Sequence, residues 1–128
     1  MSELGTPELQ VTFDCARPQE LARFWAEVLH FEVESGVHDG WASAVDPAGE
    51  RPRVFFQRVP EAKVVKNRIH LDVRSAGPRS TPMDERRPRV KAEVVRLLGL
   101  GASFVETIED EVDHFTVMRD PEGNEFCV

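Results

Sequence analysis

The residues best suited to chemistry in this chain are Gln10, Gln57, His70 and the pair Glu125 and Cys127. Each falls in a stretch that alternates like a strand. An imidazole beside a carboxylate or a thiolate is an ordinary environment for a divalent metal, with zinc, nickel, manganese or iron as the candidates. A lone histidine on a strand is more often a hydrogen-bonded cavity lining than a ligand, and glutamine is a poor ligand in general. What draws these positions together is an internal duplication.

"LQVTFDC" from Leu9 is answered by "IHLDVRS" from Ile69, so Gln10 falls opposite His70. "LHFEV" from Leu29 is answered by "LGASF" from Leu100, and "WASAVDPAG" from Trp41 by "FTVMRDPEG" from Phe115. The offsets are 60, 71 and 74 residues, and a surface insertion between Ser75 and Arg87 accounts for most of the drift. A repeat of this size implies two halves sharing one plan and facing each other across a cleft.

The first half reads as a strand over Leu9–Cys15, then a helix that opens at Pro18, where a missing N–H costs nothing. Leu21, Phe24, Trp25, Val28 and Leu29 form one apolar stripe at helical spacing. Strands are expected at Phe31–Glu34, Trp41–Val45 and Val54–Val59. The second half predicts a strand over Arg68–Arg74, a Pro- and Ser-rich loop, and a helix from Pro88 to Leu98 that buries Val90, Val94, Leu97 and Leu98. Gly99 and Gly101 should stop that helix. Strands at Ala102–Glu106, His114–Arg119 and Glu125–Val128 complete the set. The fold class expected is therefore α+β: two βαβββ modules, at about 9–60 and 67–128, forming an eight-stranded cup-shaped sheet. Residues 1–8 are expected to be a flexible terminus.

Alternation sorts the first strand of each half into two faces. Val11, Phe13 and Cys15 oppose Gln10, Thr12 and Asp14; Leu71 and Val73 oppose His70, Asp72 and Arg74. The apolar faces need the helices, so the polar faces should line the cavity. Phe55 shares a face with Gln57, and Glu125 with Cys127, but the pattern does not say which face. Asp14, Trp41, Phe55, Gln57 and Asp72 are the candidate ligand-binding wall.

The composition excludes other roles. With a net charge of −7 and a pI near 5.1, the chain is a poor partner for nucleic acid. The one basic island, Arg74, Arg79, Arg86, Arg87 and Arg89, reads as a solvated loop surface. No apolar run is long enough to span a membrane. Met1–Glu8 carries no basic start and no apolar core, so no secretory signal is expected. Two cysteines with no sign of pairing suit a reducing cytoplasm. His30, His38 and His114 sit at a helix end or near loops and carry little functional signal. The paired Asp-Pro-x-Gly segments are turn chemistry.

With "ELARFWAEVLHFEV", "VFFQRVPEAKVVKNRIHLDV" and "LGLGASFVE…DPEGNEFCV" in view, the chain resembles the vicinal oxygen chelate superfamily. More narrowly, it resembles the glyoxalase-like domains of the glyoxalase, bleomycin-resistance and extradiol-dioxygenase clan. The resemblance implies two βαβββ modules cupped around a small-molecule site, and commonly a homodimer. It implies metal ligands on the first and last strands of each module: here Gln10 and His70, a position near Phe56 or Gln57, and Cys127, with Glu125 two residues earlier. Metal-dependent relatives usually carry acidic residues at the last-strand positions, and this chain does not.

Two functions follow as expectations. One is a metal-assisted lyase, isomerase or dioxygenase acting on a small oxygenated molecule. The alternative is a non-catalytic, antibiotic-type binding or sequestering protein. Metal-free acid–base chemistry by His70 or Asp72 is a third possibility that the residues do not separate from the second.

Overall fold

The computed structural model describes residues 5–36 and 38–128. Part of the expected flexible terminus, residues 1–4, therefore lies outside the described residues. The chain divides into two compact units, one ending at Ala62 and the other beginning at Lys63. Each unit is a βαβββ module built on one four-stranded sheet.

Module one comprises β1 (Gln10–Cys15), α1 (Pro18–Leu29), β2 (Glu32–Val33), β3 (Trp41–Val45) and β4 (Arg53–Arg58), in sheet order β1-β4-β3-β2. The α1 stripe explains its packing. Leu21, Phe24, Trp25 and Val28 are buried, and Trp25 lies 5.1 Å from the Phe13 ring, centroid to centroid, on the apolar side of β1. Pro18 occupies the first helical turn, as its ring geometry favours. The helix ends at His30 in the left-handed region (φ 58°), with the Phe31 N–H returning to the Ala26 carbonyl at 2.8 Å. That is a helix-terminating turn of the kind usually given to glycine.

Module two repeats the plan with β5 (Leu71–Asp72), α2 (Met83–Leu100), β6 (Ser103–Glu109), β7 (His114–Arg119) and β8 (Glu125–Cys127), in sheet order β5-β8-β7-β6. Phe126 and Met118 are fully buried in its core, as Phe56 is in the core of module one.

Several details differ from expectation. α2 begins at Met83, not Pro88, so Pro88 lies inside the helix. At the sixth helical position it forfeits one backbone bond. The amides of Glu85 and Arg86 still close on the Pro82 carbonyl, and Asp84 and Glu85 suit the positive end of the helix. Part of the expected loop is thus helix. Arg86, read as solvated, is only 5 % exposed, one turn before buried Val90. Leu98, expected in the core, is 45 % exposed, and Gly99 is helical, the stop coming at Gly101 (φ 111°). β5 is far shorter than Arg68–Arg74: it is an edge strand among the described residues, and its partner β8 offers Phe126 and Cys127 opposite Leu71 and Asp72. β2 is likewise reduced to a two-residue edge strand.

Candidate functional site

The parallel pairing of β1 with β4 sets the polar face of module one. Gln10 lies opposite Arg53, Thr12 opposite Phe55 and Asp14 opposite Gln57. The register therefore answers the question alternation left open: Phe55 and Gln57 share the face of Gln10 and Asp14. The Gln57 amide donates to Asp14 Oδ1 at 2.9 Å, and Arg53 Nη1 donates to Gln10 Oε1 at 2.9 Å. Arg53 also pairs with Glu34 at 2.6 Å. The Arg53 guanidinium and the Ser43 hydroxyl together hold the Glu34 carboxyl below the usual range, against a small opposing effect of burial.

Aromatic rings cover the same face. His38 stacks on Trp41 with centroids 3.7 Å apart and planes within 10°. Trp41 stacks on Phe55 at 5.3 Å, and the Arg53 guanidinium lies 5.3 Å from the Phe55 centroid. His38, which carried little signal in the sequence, is thus the outer leaf of a ladder of four flat groups.

A cavity of about 240 Å³ lies against the sheet of module two. One group of lining residues is His70, Asp72 and Cys127, whose donor atoms all lie within 4.8 Å of one another. His70 Nε2 is 3.3 Å from Asp72 Oδ1, and Cys127 hydrogen-bonds to Asp72. Parallel pairing of Asp72 with Cys127 brings carboxylate and thiol to one face.

Cys127 is 7 % exposed. Burial, then the charge and hydrogen bond of Asp72, push its thiol up to about 11, with Lys66 and Arg74 partly opposing. In the absence of a metal it is a protonated hydrogen-bond donor at neutral pH, unsuited to nucleophilic attack. Cys15 is likewise buried, with its thiol 3.5 Å from the Gln57 carbonyl oxygen.

The cavity has a second polar group that the sequence reading took for solvated surface. Arg86 Nη1 donates to Asp113 Oδ1 at 2.6 Å, and its Nη2 donates to the Arg79 carbonyl at 2.5 Å. Arg74 approaches Asp113 at 4.0 Å. His114 lines the cavity too, with Nδ1 at 2.9 Å from Glu109. The signal for Arg74 was available, since it follows His70 and Asp72 at two-residue spacing. Arg86 could be read only by extending the α2 stripe past Pro88.

The remaining candidates are held elsewhere. Glu125 accepts from the Asn67 N–H at 2.8 Å and lies 3.5 Å from Lys63 and 3.4 Å from Arg119. Burial pushes its carboxyl up, but the Asn67 amide, its own backbone, Lys63 and Arg119 outweigh that and hold it below the usual range. Its oxygens do not join the His70 group. Gln10 spends its side-chain oxygen on Arg53 within module one.

A divalent cation fits the donors that do converge. Imidazole nitrogen, carboxylate oxygen and sulfur on one cavity wall, a few ångströms apart, make a three-residue set of the kind that leaves a position for water or substrate.

The comparisons with known proteins agree with this architecture. The glyoxalase-like domain model matches residues 10–128. A glyoxalase/bleomycin resistance/dioxygenase family enzyme from Burkholderia phytofirmans is 16 % identical, with a TM-score of 0.65 over 92 % of this chain and 93 % of that one. The fosfomycin resistance protein FosX from Listeria monocytogenes is 13 % identical, with a TM-score of 0.62 over 95 % and 90 %. A superfamily member from Sphaerobacter thermophilus is 16 % identical, with a TM-score of 0.63 over 97 % and 96 %. At these identities the likeness establishes the fold alone. No curated protein matches in sequence. Among the described residues, no helix is long and apolar enough to cross a membrane. The match across nearly the whole chain, with the duplicated βαβββ plan, makes this protein a member of the glyoxalase-like domain family in the vicinal oxygen chelate superfamily.

Proposed function

We propose that the module-two cavity is the working site of this domain, and that it takes a small oxygenated molecule beside a divalent metal held by His70, Asp72 and Cys127. The observation carrying this reading is the convergence of three different donor types within 4.8 Å on a cavity wall. Sulfur and imidazole together favour Zn²⁺ or Fe²⁺ over Mn²⁺. A bound ion would supply Lewis acidity toward a carbonyl or developing oxyanion, the common need of lyase, isomerase and dioxygenase chemistry.

The chain's own residues do the rest. Asp72 engages both His70 and Cys127 and so keeps the donors on one face. Cys127 must give up its proton on loading, which makes metal affinity rise with pH. Glu125 could add a donor only by releasing its Lys63, Asn67 and Arg119 contacts. The size of the cavity, slightly below that of drug-sized pockets, suits a small substrate. We extend the proposal to a cytoplasmic homodimer. Its mass in sedimentation equilibrium should be twice that of the 14.5 kDa chain.

The test is thermal stability of metal-stripped protein titrated with Zn²⁺, Ni²⁺, Mn²⁺ and, anaerobically, Fe²⁺. A saturable rise in Tm that disappears in His70→Ala supports the reading. No rise with any of these ions sinks it.

One observation favours a second reading, binding without chemistry. The stack of His38, Trp41, Phe55 and Arg53, flanked by Asp14 and Gln57, is a platform for a flat or cationic molecule. Ligand-dependent quenching of Trp41 fluorescence, lost in Trp41→Phe, would support it.

A further inference from the structure

The module-two cavity has a second end, chemically distinct from its donor cluster. Arg74 and Arg86 both line it, and a single carboxylate, Asp113, answers the two guanidiniums. Asp113 Oδ1 is already committed. It accepts Arg86 Nη1 at 2.6 Å and the His114 N–H at 2.8 Å, which leaves Arg74 at 4.0 Å, beyond hydrogen-bonding range. The Arg86 guanidinium is spent on Asp113 and the Arg79 carbonyl, so its part is a fixed positive charge with little access to solvent. The Arg74 side chain is 39 % exposed, and among the described residues that 4.0 Å approach is its one ion-pair contact.

Arg74 lines the same cavity as the donors. The Val73 N–H bonds to the Cys127 carbonyl at 2.8 Å, and the chain turns at Arg74, where the Ser75 N–H closes on the Val73 carbonyl at 2.9 Å. Arg74 is also close enough to Cys127 to ease ionisation of its thiol.

From this arrangement we propose that Arg74, backed by the buried charge of Arg86, is an anion subsite, and that the molecule taken by the cavity carries an oxyanion, a carboxylate first of all. This rests on the reading of the cavity as the working site and adds the substrate class. A planar guanidinium fork with free donors matches a carboxylate in two parallel hydrogen bonds. The resulting substrate is a small molecule with a carboxylate at one end and a metal-seeking oxygen a few ångströms away.

The test uses the intact protein and simple probes. Acetate, methylphosphonate and neutral acetamide are titrated into metal-free and Zn²⁺-treated protein, with backbone amide and arginine side-chain shifts followed by NMR. The proposal predicts saturable shifts at the Arg74 side chain with acetate and not with acetamide. Affinity should fall at least about tenfold in Arg74→Gln and be retained in metal-free His70→Ala. Methylphosphonate binding tighter than acetate would keep the oxyanion subsite and replace carboxylate with phosphonate as its occupant. Equal acetate binding in Arg74→Gln, or an equal response to acetamide, overturns the proposal. Because His70→Ala abolishes the metal response and leaves the anion response, failure of the metal reading and failure of this one give different results. Arg74→Lys provides a second variant that keeps the charge and loses the fork, and it should bind acetate with intermediate affinity.

Discussion

The two modules share a topology and differ in what stands on their polar faces. The difference can be followed position by position. Thr12 in β1 corresponds to Asp72 in β5, and their parallel partners are Phe55 and Cys127. Module one therefore has a large ring where module two has a small thiol. Phe55 stacks under Trp41 and His38 and covers its sheet; Cys127 leaves room, and the cavity is there. One step back along the same strands, Arg53 corresponds to Glu125. Arg53 reaches across to occupy Gln10, whereas Glu125 is held by Lys63, Asn67 and Arg119, and His70 is left to Asp72. At the third position the charge reverses: Asp14 is capped by Gln57, while Arg74 approaches Asp113 at 4.0 Å. The same plan thus carries an aromatic stack in module one and a cavity in module two.

The sharpest test of the shared part lies in the cores. Phe56 and Phe126 stand on the matching, core-facing sides of their strands and are both fully buried, although in register Phe126 matches Val54, two residues before Phe56. Phe56→Ala and Phe126→Ala should each cost about 3–5 kcal/mol in urea unfolding. A cost below about 1 kcal/mol for either would break the equivalence.

The difference between the modules can be tested by grafting. Cys127→Phe gives module two the filler of module one, and should abolish the metal response, a loss of at least about 100-fold in affinity or roughly 2.7 kcal/mol. Overpacking should take about 1–3 kcal/mol of stability, read by the same urea curve. Retained metal binding would show that the thiol and the space it leaves are not what distinguishes the cavity.

The smallest effect concerns acid. Glu125 has a depressed carboxyl in the folded state, so its contribution to stability is present above the ordinary carboxylate range. It is lost as pH falls through the lower folded value. Wild-type Tm should drop more steeply below about pH 4.5 than that of Glu125→Gln. Parallel curves would remove Glu125 from the account of module two. Glu34, the corresponding charge partner in module one, is more exposed and should contribute less.

Much of this was legible in the chain. The repeat, the α1 stripe and the two faces of β1 follow from period and spacing, and the His70 and Cys127 positions from the repeat and the resemblance. The rest depended on contacts between distant segments. Which face Phe55 and Gln57 take is a matter of register between β1 and β4, and alternation is silent on register. Pro88 pointed to a helix start, but the chain tolerates it one turn inside because the preceding turn is anchored by Arg86 on Asp113. Arg86 and Asp113 are 27 residues apart, and no local pattern links them. The choice of Asp72 over Glu125 as third donor depends on Lys63, Asn67 and Arg119 already holding Glu125.

The central claim is that the His70, Asp72 and Cys127 cluster is a metal site. Titration of metal-stripped protein with Co²⁺, followed by absorption, tests it most directly, because a cobalt–thiolate bond has its own charge-transfer band. The account predicts one equivalent of Co²⁺, a thiolate band lost in Cys127→Ser, and an affinity that rises about tenfold per pH unit while the thiol remains protonated. A spectrum of hydrated Co²⁺ alone, or a band unchanged in Cys127→Ser, would contradict it.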